Sequence, residues 1–126
     1  MPSVRHPDRL GLHVRVVLRD AAGHAVALGP GKADLLEAIG ETGSIAAAGR
    51  RLGMSYKRAW SLVETLNTMF RGPLVDAAKG GAHGGGAALT PLGRRILSAY
   101  RGLEANAARA GQMPLGVIRR ALGPSQ

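Results

Sequence analysis

Two helix starts standing eleven residues apart constrain this chain more than any other feature. Ser44 precedes Ile45-Ala-Ala-Ala-Gly-Arg-Arg51, and Ser55 precedes Tyr56-Lys-Arg-Ala-Trp60, with Gly53-Met54 between the two runs. A serine oxygen just ahead of a helix accepts from the free amides of its first turn, and a glycine just past the end supplies the backbone conformation that stops it. Ile45, Ala48 and Leu52 repeat at helical spacing over two turns, and Trp60, Val63, Leu66, Met69 and Phe70 form an apolar stripe over about four turns. Ala47-Ala48-Gly49 lets the two helices cross at close range. Two short capped helices joined by so tight a turn predict a helix-turn-helix. The composition agrees: Ala and Leu dominate the apolar residues, and Tyr56, Trp60, Phe70 and Tyr100 are the only aromatics. Thin, closely packed helices suit such a core better than a sandwich or barrel does. Scarce aromatics also argue against base-stacking platforms for single strands or RNA.

Around this pair the chain reads as one small domain. Leu12 to Leu18 alternates and is rich in Val, which predicts a half-buried strand; Asp20-Ala-Ala-Gly23 is a turn signal, and His24 to Leu28 can return as a second strand. Leu35, Leu36 and Ile39 share one face of a first helix, which Gly40 to Gly43 is expected to stop. Pro73 to Ala78 and Ala87 to Thr90 are two β-like segments flanking the glycine-rich Lys79 to Gly86, the pattern of a hairpin or wing. Thr90 caps a long helix with Pro91 in its first position, and Leu92, Ile96, Tyr100, Leu103 and Ala107 give it a stripe running to about Ala110. The expected fold is mainly α with a small β component, a winged helix-turn-helix with an N-terminal strand or hairpin and a long C-terminal dimerisation helix. Residues 1–110 form the domain. Residues 111–126, with Pro114, Gly116, Gly123 and Pro124, are expected to be a loosely ordered tail with at most a turn of helix around Val117 to Leu122.

The chain carries 17 Lys and Arg against 8 Asp and Glu, a formal net charge of +9. Residues 44 to 101 hold nine of the bases (Arg50, Arg51, Lys57, Arg58, Arg71, Lys79, Arg94, Arg95, Arg101) against Glu64 and Asp76, a balance of +7. The first helix, with Lys32 against Asp34, Glu37 and Glu41, is acidic and is expected to point away from a polyanion. A basic face opposite an acidic one predicts double-stranded DNA as partner. A recognition helix enters the major groove by its N-terminal turn. Tyr56, Lys57, Arg58 and Ser61 are therefore the expected groove contacts, and Arg58 is assigned to a base edge because a guanidinium can make paired bonds to guanine. Ser44 and Ser55 act first as caps and can also donate to phosphate, while Arg50 and Arg51 are expected on the backbone. Lys79, with Gly84 and Gly85 in the wing, is expected to lie along a minor groove or the sugar-phosphate backbone, with Lys79 supplying charge and the missing side chains allowing close approach.

Other chemistries find little support. The absence of Cys rules out disulfides, Cys zinc sites and thiol nucleophiles. His6, His13, His24 and His83 lack metal-ligand spacing, and no catalytic triad or carboxylate pair can be argued, so an enzyme is not expected. Neither Gly29-Pro-Gly-Lys32 nor the wing matches a phosphate-binding loop. Met1 to Leu18 has neither a signal-peptide core nor a membrane span, and a cytoplasmic location is expected.

Taken in order, Gly43-Ser-Ile-Ala-Ala-Ala-Gly-Arg-Arg-Leu-Gly-Met-Ser-Tyr-Lys-Arg-Ala-Trp60, Pro73-Leu-Val-Asp76, Gly80 to Gly86 and Leu89-Thr-Pro-Leu-Gly93 resemble the amino-terminal DNA-binding domain of the ModE family, molybdate-responsive bacterial transcription regulators. The Leu-Thr-Pro-x-Gly piece is shared with LysR-type regulators, whose winged helices are related. The resemblance covers about residues 12 to 108 and implies a homodimer, paired through the first and fourth helices, on a roughly palindromic operator, regulating molybdenum metabolism. Full-length members carry molybdate-binding modules after this domain. With the chain ending at Gln126 there is no room for them, so no cofactor is expected and molybdate sensing is expected to lie elsewhere, in a separate molybdate-binding protein. Asp76-Ala-Ala stands where the family usually has Glu-Arg-Ala, so the wing either lacks a basic group there or takes it from Lys79. An oxyanion-binding or protein-interaction module, and a sequence-indifferent DNA-binding protein, remain the alternatives.

Overall fold

The computed structural model describes residues 12–77 and 86–124. In chain order they form β1 (Val16–Arg19), β2 (Ala25–Leu28), α1 (Pro30–Thr42), α2 (Ile45–Arg51), α3 (Tyr56–Met69), β3 (Val75–Asp76), β4 (Ala88–Leu89), α4 (Pro91–Ala110) and α5 (Gln112–Ala121). The strands make two separate antiparallel pairs, β1 with β2 and β3 with β4. This is the expected winged helix-turn-helix, helices dominating and the β3–β4 pair forming the stem of the wing.

The turn between β1 and β2 is built by Asp20, whose carboxylate accepts from the amides of Ala22 (3.0 Å) and His24 (2.8 Å), while Gly23 takes φ +90°. Val16 pairs with Leu28 and Arg19 with Ala25. The first strand begins at Val16 rather than Leu12. Ahead of it the Val14 carbonyl accepts from the hydroxyl of Tyr100 (2.6 Å), which ties the segment to α4 instead of to a neighbouring strand.

The core lies where α1 meets the other elements. Ala33, Leu35, Leu36, Ala38 and Ile39 of α1 are buried with Ile45 and Ala48 of α2, Ala59, Val63 and Leu66 of α3, and Leu74, Val75, Leu89 and Tyr100. Gly40 does not stop α1. The helix runs to Thr42 and ends at Gly43, φ +73°, whose amide donates to the Ile39 carbonyl. Gly40 is a packing residue: a Cβ there would stand 3.3 Å from a Leu89 methyl.

The expectation for the tail is corrected too. Residues 112 to 121 form a ten-residue helix, α5. Pro114 is its third residue, a position whose N–H would have no partner inside the helix, so the ring costs no backbone hydrogen bond. The first such bond runs from the Leu115 amide to the Gly111 carbonyl (2.9 Å). None of its residues is buried.

One polar cluster joins α1 to α4. The Arg101 guanidinium donates to Asp34 (2.7 Å), Glu37 (2.8 Å) and Glu104 (2.9 Å). Burial alone would lower the pKa of this guanidinium, but its hydrogen bonds to Asp34, Glu104 and Glu37 outweigh that and hold it above the ordinary arginine value. Arg101 is therefore internal bracing and does not belong to the basic face.

Candidate nucleic-acid interface

The helix-turn-helix is assembled by local chemistry. The Ser44 hydroxyl accepts from the Ala47 amide (3.0 Å) at the start of α2, and the Ser55 hydroxyl accepts from the Arg58 amide (3.0 Å) at the start of α3. Both serines act as the expected caps. Gly53 takes φ +71° in the turn, and the Met54 amide donates back to the Gly49 carbonyl (2.9 Å). Where α2 and α3 cross, a Cβ on Gly49 would sit 3.2 Å from the Ala59 methyl, so the missing side chain sets the spacing of the pair.

In α3 the buried positions are Ala59, Val63 and Leu66. Lys57, Arg58, Ser61, Glu64, Thr65 and Thr68 all lie on its exposed surface. Tyr56, 58% exposed, leans edge-on against Trp60 with ring centroids 6.2 Å apart, which fixes the ring beside the helix entrance. Tyr56, Lys57, Arg58 and Ser61 thus share the N-terminal half of one helix, open to a ligand. Arg50, exposed in the last turn of α2, belongs to the neighbouring element. Arg51 is engaged: its guanidinium pairs with Glu41 of α1. Lys79, Gly84 and Gly85 lie outside the described residues.

The acids of α1 are accounted for by tertiary contacts. Asp34 and Glu37 face Arg101 and Glu41 faces Arg51, so two of the nine bases counted between residues 44 and 101 are held by carboxylates inside the fold. The concentration of free cations around α3 is smaller than the count along the chain implies.

The wing is held to the helices by groups that a linear reading passes over. Asn67 of α3 accepts from the amides of Leu74 (2.9 Å) and Val75 (3.0 Å) and donates to the Val75 carbonyl (3.0 Å). Thr90 donates to the Pro73 carbonyl (2.7 Å) and caps α4 by accepting from the Gly93 amide (2.9 Å). Gly93 lies against the wing stem itself, where a Cβ would meet the Leu74 carbonyl oxygen at 2.1 Å. These contacts explain Leu89-Thr-Pro-Leu-Gly93: the threonine fastens wing to helix, and the glycine admits the strand. No local signal marked Asn67, which looks in sequence like any polar residue on a helix face.

Among the described residues no group of three or more His, Cys, Asp or Glu could hold a metal ion. No helix among them is long and apolar enough to cross a membrane.

Comparison with known proteins agrees with this geometry. The family described as "Bacterial regulatory helix-turn-helix protein, lysR family" matches residues 32–94, from the start of α1 to the first turn of α4. The "Molybdenum-pterin-binding protein MopB" of Rhodobacter capsulatus is 49% identical over 82 residues, 65% of this chain and 30% of that protein. The "Molybdenum transport protein ModE" of Azotobacter vinelandii is 49% identical over 70 residues, 56% of this chain and 26% of its own length. The "DNA-binding transcriptional dual regulator ModE" of Escherichia coli strain K12 is 39% identical over 71 residues, 56% of this chain and 27% of its own length. The chain thus spans less than a third of the length of these relatives.

Proposed function

Because the chain belongs to the bacterial regulatory helix-turn-helix proteins of the lysR family, matched over residues 32–94, we propose that it is a sequence-specific regulator of transcription on double-stranded DNA. The observation that carries this reading is the exposed N-terminal half of α3, where Tyr56, Lys57, Arg58 and Ser61 surround a capped helix start beside Arg50. Arg58 reads a base, Lys57, Tyr56 and Ser61 support it in the major groove, and Arg50 holds a backbone phosphate. Ser44, Ser55 and Arg51 border the same surface, with Lys79, Gly84 and Gly85 in the wing. The cytoplasm, where the chromosome lies, is the location this role requires. We read the chain as a regulator and not as an enzyme.

The link to molybdenum comes from the relatives, whose names state molybdenum-pterin binding, molybdenum transport and DNA-binding regulation. We infer that this chain serves the same metabolism, with a separate molybdate-binding protein as the source of the signal. A homodimer is the proposed working form. Its support is the apolar surface left open beside α4: Leu18 and Leu103 border a groove between β1, β2 and α4, and α5 exposes Met113, Val117 and Ile118, with Leu122 exposed just past its end. The first helix, largely inside the core, offers less to a partner than the sequence suggested.

The test is selection of duplexes from a random pool by the purified chain, followed by binding of the selected and a scrambled duplex by two variants. Arg58→Ala should lose about 1–3 kcal/mol of preference for the selected duplex. Arg50→Ala should weaken both duplexes alike and reduce the salt slope by about 1. Equal losses on both duplexes for both variants would refute the assignment of roles, and a pool that yields no shared site would favour sequence-indifferent binding.

A further inference from the structure

Beside the recognition helix the fold brings together three cations that are far apart in sequence. Arg15 precedes β1, Lys32 lies in the first turn of α1, and Arg58 lies in the first turn of α3; together they line a concavity of about 310 Å³. Its other walls are Ala27, Gly29, Met54 and Leu62 among neighbouring apolar or backbone surfaces, and no carboxylate lines it. Among the described residues neither the Arg15 nor the Arg58 guanidinium is paired with a carboxylate. The nearest acid of α1 in sequence, Asp34, is held by Arg101.

The site is held open by specific contacts. The Lys32 ammonium donates one hydrogen bond to the Ala27 carbonyl (3.0 Å), which fixes it at the rim with further N–H groups to spare. The stem of Arg15 runs over Gly29, its Cγ 3.7 Å from where a side chain would begin, and nothing stands within 4 Å of the corresponding point on Gly31. Three cationic side chains lining one recess without a carboxylate repel one another, and an anion placed among them removes that repulsion while gaining charge-assisted hydrogen bonds.

We propose that Arg15, Lys32 and Arg58 form a binding site for a tetrahedral oxyanion, filled in the complex by a DNA phosphate just outside the groove that α3 reads. The DNA arm of this proposal rests on the reading of α3 given above; the anion chemistry stands by itself. Arg58 then borders two regions, base edges in front and the recess behind. Arg15 and Lys32 add contacts that carry no sequence information and extend the footprint onto the corner between β2 and α1.

Two measurements on the full chain test it. Titration with inorganic phosphate, followed by amide NMR, should shift Gly31, Lys32 and Ala33 saturably, and these shifts should vanish in R15Q/K32Q. Binding of the duplex as a function of salt should show a slope lower by about 0.9 for each phosphate that this variant no longer neutralises, with the ratio of selected to scrambled affinity unchanged. Arg15→Gln alone, which keeps the Lys32 bond to Ala27, should show an intermediate slope, and thermal melts confirm that the variants fold. A changed slope without a phosphate shift identifies the DNA backbone as the source of the anion. A phosphate shift without a changed slope identifies a free oxyanion. If the salt slope stays the same and phosphate causes no saturable shift, the proposal is overturned. Should the wild-type chain bind no duplex at all, the reading of α3 fails, and the phosphate titration alone decides the site.

Discussion

Substituting Gly93 and Gly102 by alanine in turn makes the same chemical change twice in α4 and should give opposite signs. A Cβ on Gly93 would stand 2.1 Å from the Leu74 carbonyl oxygen and 3.0 Å from its carbonyl carbon, whereas ordinary van der Waals separation begins at 3.4 Å. Both partners are backbone, so no side chain can rotate away, and helix and strand must separate by roughly 1.3 Å at a packed junction. Overpacking of this kind costs about 1–3 kcal/mol, and the upper end applies because separation also strains the Thr90 bond to Pro73. Alanine returns about 1 kcal/mol of helix preference, leaving a net loss of about 2 kcal/mol. At Gly102 nothing lies within 4 Å of the new methyl, so only the gain of about 0.5–1 kcal/mol remains. For a domain of this size Gly93→Ala should lower the thermal midpoint by about 10 °C and Gly102→Ala should raise it by about 4 °C. Calorimetry or circular dichroism melts measure both. Shifts of the same sign, or a neutral Gly93→Ala, would refute the argument that the strand needs this glycine.

Arg101→Met should destabilise the chain by about 2–3 kcal/mol, below the usual range for fully buried pairs because the guanidinium is partly open to water; urea denaturation reads it, and a loss under about 1 kcal/mol would show that the three carboxylates find solvent easily. Asn67→Ala removes three bonds and leaves the amides of Leu74 and Val75 without their acceptor, at a cost of about 2–3 kcal/mol. Amide exchange should quicken at those two residues first, and uniform quickening would contradict a local clamp. Asp20 is held below the ordinary aspartate pKa, chiefly by the amide of His24, against an opposing desolvation. A depressed folded pKa stabilises the turn above the unfolded value, and that stabilisation is lost as pH falls through the folded value. An NMR titration should therefore find Asp20 below its ordinary midpoint, and a midpoint at or above it would refute the turn's role.

Much of the fold was legible because its local signals agree with one another. Ser44, Ser55 and Thr90 each do at a helix start what their positions predict, and Pro91 opens α4 as expected. Glycine was the ambiguous letter. Gly40 and Gly43 look alike in sequence, but only Gly43 has positive φ, while Gly40 makes room for Leu89 from inside a continuing helix. Pro114 misled for a similar reason, because a proline in the first turn of a helix and one beyond its end read the same without the structure. The site was legible where it is local, along α3, and illegible where it depends on which elements become neighbours. Nothing adjacent to Arg101 or Arg51 in sequence announces that α1 holds them, and nothing near Arg15 announces Arg58.

The cluster around Arg101 also sets a local patch of one sign apart from the exposed cations of α3. Three carboxylates share one guanidinium between α1 and α4, a local excess of two negative charges, whereas Arg50, Lys57 and Arg58 stand exposed near the entrance of α3. An excess of carboxylate at one place repels a polyanion there, whereas exposed cations attract it. The surface joining α1 to α4 around Arg101 is therefore a poor place for a polyanion to settle, and this repulsion weakens as added salt screens it.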